Sequence, residues 1–291
     1  MPVMNAQPRL LKDTPMISLK QLFSQSMALL RAHPVLLLPP IVADALIAML
    51  APGRGPGGFG GMILAALIQL AIMAGWLNLI ARLRSGEPPT WDAFFTSVGR
   101  HFWSLVGGAL NQVLLLMAMG FPLLLLGALW VGQAGATRLE SELRPFLEGK
   151  ADVAGLAQAL SPEAMLAASQ LTWLALIWFL AFALMSFLLT FWQQGVVLRH
   201  LRWAQSWRES FGVVRGHLKG VLALVTVLSL GQGAAIALGL LVPQIGVLAA
   251  AFAALALLLV RVFASVATTL FYMEVVKTAD DTLPASPTLP A

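Results

Sequence analysis

Six apolar stretches, at 35–51, 59–81, 103–131, 171–192, 221–242 and 245–270, dominate the chain. A helix rises 1.5 Å per residue, so about 20 such residues cross a hydrocarbon core of about 30 Å. The stretch at 35–51 is short and holds Pro39 and Pro40, which predicts a kinked entry. The last two are separated by little more than Pro243 and Gln244, a tight hairpin. Only 11% of the 291 residues are charged and 59% are hydrophobic. Soluble domains carry about 25% charged residues, so a soluble enzyme is excluded, as is a disordered chain. The expected fold is all-α: a polytopic membrane helical bundle of six transmembrane helices.

Charge sets the expected orientation. Arg9, Lys12, Lys20 and Arg31 precede the first span. Arg82, Arg84 and Arg100 lie in the second loop, Arg199, Arg202, Arg208, Arg215 and Lys219 in the fourth, and Lys277 in the tail. The opposite side receives Arg54, Arg138, Arg144 and Lys150. The positive-inside rule therefore predicts an inner-membrane protein with both termini cytoplasmic. Trp76, Trp91, Trp103, Trp192, Trp203 and Trp207 fall at the expected inner boundary, and Trp130 and Trp173 at the outer one. That is an aromatic-belt pattern. The net charge of +5 thus reads as orientation and anionic-headgroup binding, not nucleic-acid binding.

Three segments before odd-numbered spans resemble one another: LKQLFSQSMALLRAHPVLLL, TWDAFFTSVGRHFWSLVGGAL and WAQSWRESFGVVRGHLKGVLAL. Each places apolar residues at helical spacing, then serine, arginine and histidine. The pattern predicts interfacial amphipathic helices and a threefold internal repeat over 15–84, 89–198 and 203–276. The middle copy is one helical turn shorter. Arg31, His33, Arg100, His101, Arg215 and His217 are the candidate headgroup contacts at the cytoplasmic interface. The histidines also admit a pH-sensing reading. No two histidines sit one turn apart on a helix, so no metal site is expected. A single membrane domain would cover 1–276, with a disordered tail over 277–291.

The segment 132–170 is a net acidic outer insertion. Leu139, Leu143 and Phe146 share one helical face, and Val153, Leu156 and Leu160 another. Ser161-Pro162-Glu163 supplies a cap, a first-turn proline and an acid. Two short outer helices are expected, as a lid, a docking site or a solvated insertion.

Asp44 and Arg261 are formal charges well inside spans, where each needs a partner or water. Both sit about 14 Å from the expected inner boundary, so they could form an intramembrane ion pair. The other reading satisfies them separately, with Arg261 snorkelling. Gln69, Asn78, Asn111, Gln112 and Gln232 suit interhelical hydrogen bonds.

Catalytic signatures are missing. The sequence has no His-Glu-x-x-His, no Gly-x-Ser-x-Gly, no phosphate-binding loop and no cysteine. No enzyme activity, catalytic residue, metal or cofactor is expected. The segments SFGVVRGHLKGVLAL, GEPPTWDAFF, LRAHPVLLLP and ATTLFYMEV resemble a group of uncharacterised bacterial six-span membrane proteins. That group is similar to the membrane domain that accompanies some glycerophosphodiester phosphodiesterases. The resemblance implies a six-helix membrane domain and no catalytic residues, since this sequence has no added soluble barrel. The expected role is a non-enzymatic multi-pass protein that organises lipids or partner proteins or supports envelope homeostasis. Its expected partners are lipids, other proteins or a second copy. The alternative is a transporter or channel for a lipidic or small solute.

Overall fold

The computed structural model describes residues 18–50, 58–147, 160–241 and 247–281. Among them every regular element is helical. They are α1 (Leu19–Ala32), a 3-10 turn (Pro34–Leu37), α2 (Leu38–Leu50), α3 (Gly58–Arg84), α4 (Trp91–Leu147), α5 (Pro162–Leu188), α6 (Trp192–Leu198), α7 (Trp203–Gly216), α8 (Leu218–Leu241) and α9 (Val247–Asp281). Five helices (α3, α4, α5 continued into α6, α8 and α9) are long and apolar enough to cross a membrane. A sixth crossing needs α1 and the following segment, bent by 97°, to count as one. The chain is an all-α polytopic helical bundle. Its first expected span is the weakest, because Pro34 starts a 3-10 turn that leaves α2 only 13 residues.

The contacts divide the chain into two compact units. The first joins 1–108 to 188–291. Its core lies where the helices break: Leu22, Leu36, Leu77, Ile80, Phe191, Val214, Val221 and Tyr272 are almost wholly buried. Along α9, packing against α8, α1, α3 and α2 makes that helix the hub of the unit.

Each break has a chemical cause. Ser18 caps α1 by accepting from the Gln21 N–H at 3.2 Å. His33 closes that helix in a non-helical conformation, as expected of a residue before proline. His217 closes α7 in a similar one. Between α5 and α6 the released backbone is satisfied by α7. Ser210 Oγ accepts from the Phe191 N–H at 3.1 Å and donates to the Leu188 carbonyl at 2.8 Å. Ser206 Oγ donates to the Trp192 carbonyl.

The middle amphipathic segment departs from the expected interfacial helix. Helix α4 passes without a break through Arg100 and His101 and reaches its first non-helical residue only at Gly132. Unlike the first copy, this one has no proline after its histidine to interrupt the backbone ladder. Its buried Ser97 instead bonds the Ala74 carbonyl of α3 at 2.9 Å. Asn78 donates to the Ala93 carbonyl at 2.9 Å, and Gly75 leaves room for the Phe94 ring, which a Cβ would overlap. The expected inner belt is corrected too. Trp76 and Trp192 are core residues at 3% and 6% exposure, whereas Trp91 and Trp103 are exposed. Gly108 makes space for Trp192.

The second unit spans 109–187. Within it α4 and α5 approach closely where Gly120 faces Trp178 and Gly127 faces Leu174. Gly132, at φ 69°, lets the chain turn sharply, and α4 continues to Leu147. Leu139 then packs on Ala164 and Ala167. Ser161 does cap a helix, by accepting from the Ala164 N–H at 3.2 Å. That helix is α5 itself, not a short outer helix. Glu142 accepts from the Ser161 N–H at 2.8 Å, and Arg138 pairs with Glu163. Residues 153–159 of the other expected helix lie outside the described residues, as do 282–291 of the expected tail; the first part of that tail, 277–281, continues α9 as helix.

Candidate functional site

In the first unit, α2 and α9 bring together Asp44 and Arg261. Arg261 Nη1 donates to Asp44 Oδ1 at 2.8 Å. The other Arg261 donors and Asp44 Oδ2 have no protein partner among the described residues. Both side chains are 40% exposed, so the pair is open on one side. Residues that follow Asp44 on α2 (Ala45 to Leu50) and precede Arg261 on α9 (Phe252 to Val260) are all apolar. Phe263, half a turn beyond Arg261, meets Phe23 of α1 with ring centroids 5.5 Å apart.

A second group of residues lies on the short helices α1 and α7 and near the starts of α4 and α8. Arg31 and Arg215 lie in the last turns of α1 and α7, and both are exposed. Arg100 is exposed on α4, as are Arg202, Arg208 and Lys219. Exposed apolar residues stand among them: Met27, Trp91, Phe95, Trp103 and Phe211. The buried faces of α1 and α7 use Leu22, Ser26, Ser206, Ser210, Val213 and Val214.

The histidines separate. His33 is half-buried at the end of α1, while His217 is buried at the end of α7. His101 is buried and meets His200, a residue the sequence reading passed over. His200 Nδ1 lies 3.1 Å from His101 Nε2, and the rings are parallel within 3°. His200 holds a left-handed backbone, φ 55°, which costs a non-glycine residue free energy. Burial pushes the His217 pKa below its ordinary value. The candidate headgroup contacts are therefore of two kinds. The arginines are exposed, whereas His101 and His217 are buried packing groups.

Also missed in the sequence was Tyr272, the only tyrosine. Its hydroxyl donates to Glu209 of α7, which also lies 3.5 Å from Arg199. Gly195 packs 3.4 Å from the same hydroxyl, measured from an ideal Cβ. A usable signal was present: Tyr272 lies eleven residues, three helical turns, after Arg261. Among the described residues no three His, Cys, Asp or Glu side chains are grouped to hold a metal.

Comparison with known proteins finds no match to a family model, a curated protein or a solved structure.

Two predictions follow from these geometries. Asp44→Ala and Arg261→Ala each strand a charge at membrane depth, so each lowers folded abundance several-fold, a change of about 1–2 kcal/mol. The double variant recovers; strictly additive losses in a detergent-extracted fluorescence assay would show that the pair is not coupled. The second prediction concerns pH. A histidine pKa lowered on folding stabilises fully above its ordinary value of 6.5 and loses that contribution as pH falls through the lowered one. The drop in melting temperature between pH 7.5 and 4.5 is therefore smaller in His217→Gln than in the parent. An equal drop in both would show that His217 does not carry the pH dependence.

Proposed function

We propose that this protein is a non-enzymatic multi-pass component of a bacterial inner membrane that organises lipids or partner proteins and so supports envelope homeostasis. Its basic end would face the cytoplasm, with both termini on that side. The observation that carries this reading is the rim of exposed arginines interleaved with exposed aromatics at the end of the first unit.

Such a rim suits the boundary between headgroups and acyl chains. Guanidinium groups bind lipid phosphate, and each basic residue near an anionic surface contributes about 1 kcal/mol. Trp91, Phe95, Trp103 and Phe211 place apolar bodies at the same level. The near-perpendicular bend between α1 and the following segment supports α1 lying in the membrane plane. The resemblance to the membrane domain of some glycerophosphodiester phosphodiesterases belongs to the same proposal; it supplies an architecture and no activity.

The test is lipid selectivity. Protein reconstituted with brominated phosphatidylglycerol or brominated phosphatidylcholine reports, by tryptophan quenching, which lipid surrounds it. The parent prefers the anionic lipid, and high salt weakens the preference. Replacing Arg31, Arg100, Arg208 and Arg215 with Gln lowers that preference at least tenfold. An unchanged preference in the fourfold variant would overturn the lipid-organising reading.

A further inference from the structure

Helix α9 changes character at Arg261. Before it, residues 252–260 are apolar throughout. From it, Arg261, Ser265, Thr268 and Tyr272 recur at spacings of four, three and four. At 3.6 residues per turn these positions fall within about 60° of one another, a single polar stripe. Arg261, Ser265 and Thr268 are half-buried, while Val262, Ala264, Val266 and Ala267 on the flanking faces are buried. The stripe is thus a partly open seam at Arg261, Ser265 and Thr268, between buried flanks, and it closes at buried Tyr272. Thr268 turns its hydroxyl back to the Ala264 carbonyl at 2.7 Å. Ser265 Oγ has no protein partner among the described residues.

The seam has two ends of different chemistry. At its deep end the Asp44–Arg261 pair offers unused guanidinium donors beside an unused carboxylate oxygen. Lipid tails cannot satisfy those groups. Beyond the pair, both α2 and α9 are apolar, so no polar path continues to the far side along either helix. At its shallow end Tyr272 is buried against Phe191, which also stacks on Phe271, and is held by Glu209.

We propose that this seam is a hydrated vestibule, reached only from the basic end and ending at Asp44–Arg261, with the buried Tyr272–Glu209 pair bordering its entrance. The pair is then a solute-contacting site. Its free edges are complementary to water or to a small polar solute that brings an acidic group to Arg261 and an N–H or O–H donor to Asp44. The inference stands on the α9 stripe and the pair, and does not rest on the lipid-organising reading.

The chain has no cysteine, so single substitutions report cleanly. Ser265→Cys, Thr268→Cys, Leu257→Cys and Ile47→Cys are each reconstituted in vesicles of phosphatidylethanolamine and phosphatidylglycerol. Each is exposed to an anionic and to a cationic methanethiosulfonate reagent, added to one side at a time. Melting temperature and elution volume select the folded variants, and Ser265 and Thr268 are independent reporters of the same seam. The expected result is labelling at Ser265→Cys and Thr268→Cys at least tenfold faster than at Leu257→Cys and Ile47→Cys, from the basic end alone. Adding Arg261→Gln lowers the anionic-to-cationic rate ratio several-fold. Equal rates at seam and control positions would overturn the vestibule, as would labelling from the opposite side. An unchanged rate ratio without Arg261 would overturn the solute-contacting role of the pair.

Discussion

Backbone groups released where a helix stops inside a bundle must find partners in the protein, because neither lipid nor packed side chains supply them. In the first unit, buried serines meet that demand. Ser206 and Ser210 of α7 take up the broken turn between α5 and α6, and Ser97 fastens α4 to α3. Ser26, though buried, bonds only to the carbonyl of Leu22 in its own helix. Larger side chains could not reach these backbone atoms without forcing the helices apart. Gly75, Gly108 and Gly195 complete the arrangement by admitting Phe94, Trp192 and Ser206. Once the breaks are satisfied, short helices can lie across long ones, and that places arginines and aromatics around one end.

The architecture was legible in the sequence because its signals are collective. Long apolar runs and amphipathic spacing survive local irregularity, so the helical class and the places where helices begin could be read from period and composition. The bends were only partly legible. The first was expected from Pro39 and Pro40, which sit in the first turn of α2, whereas the bend falls at Pro34. His217 closes α7 with only Gly216 to mark the second, and nothing in the middle segment signalled that its helix would run on through His101. The tryptophans misled for a related reason. An indole suits an interface and a core alike, and Gly108, distant in sequence, decides that Trp192 is core.

The site was legible in its charges and not in its neutral partners. Asp44 and Arg261 stood out because a charge in an apolar run is rare. Their meeting depends on α9 packing beside α2, which matched depth only suggested. His200 carried no pattern at all. It reaches His101 through a left-handed turn in the linker after α6, a tertiary event with no local signature. Tyr272 and Glu209 meet across α9 and α7 for the same reason.

The central claim is that the basic, aromatic end of the bundle faces the cytoplasm and its anionic leaflet. Topology tests it most directly. Arg202→Cys and Ala136→Cys, expected from the charge pattern on opposite sides of the membrane, are exposed positions in a chain with no cysteine of its own. With a membrane-impermeant maleimide on intact cells, the account predicts labelling at Ala136→Cys, and labelling at Arg202→Cys only after lysis. Labelling of intact cells at Arg202→Cys and not at Ala136→Cys would contradict it.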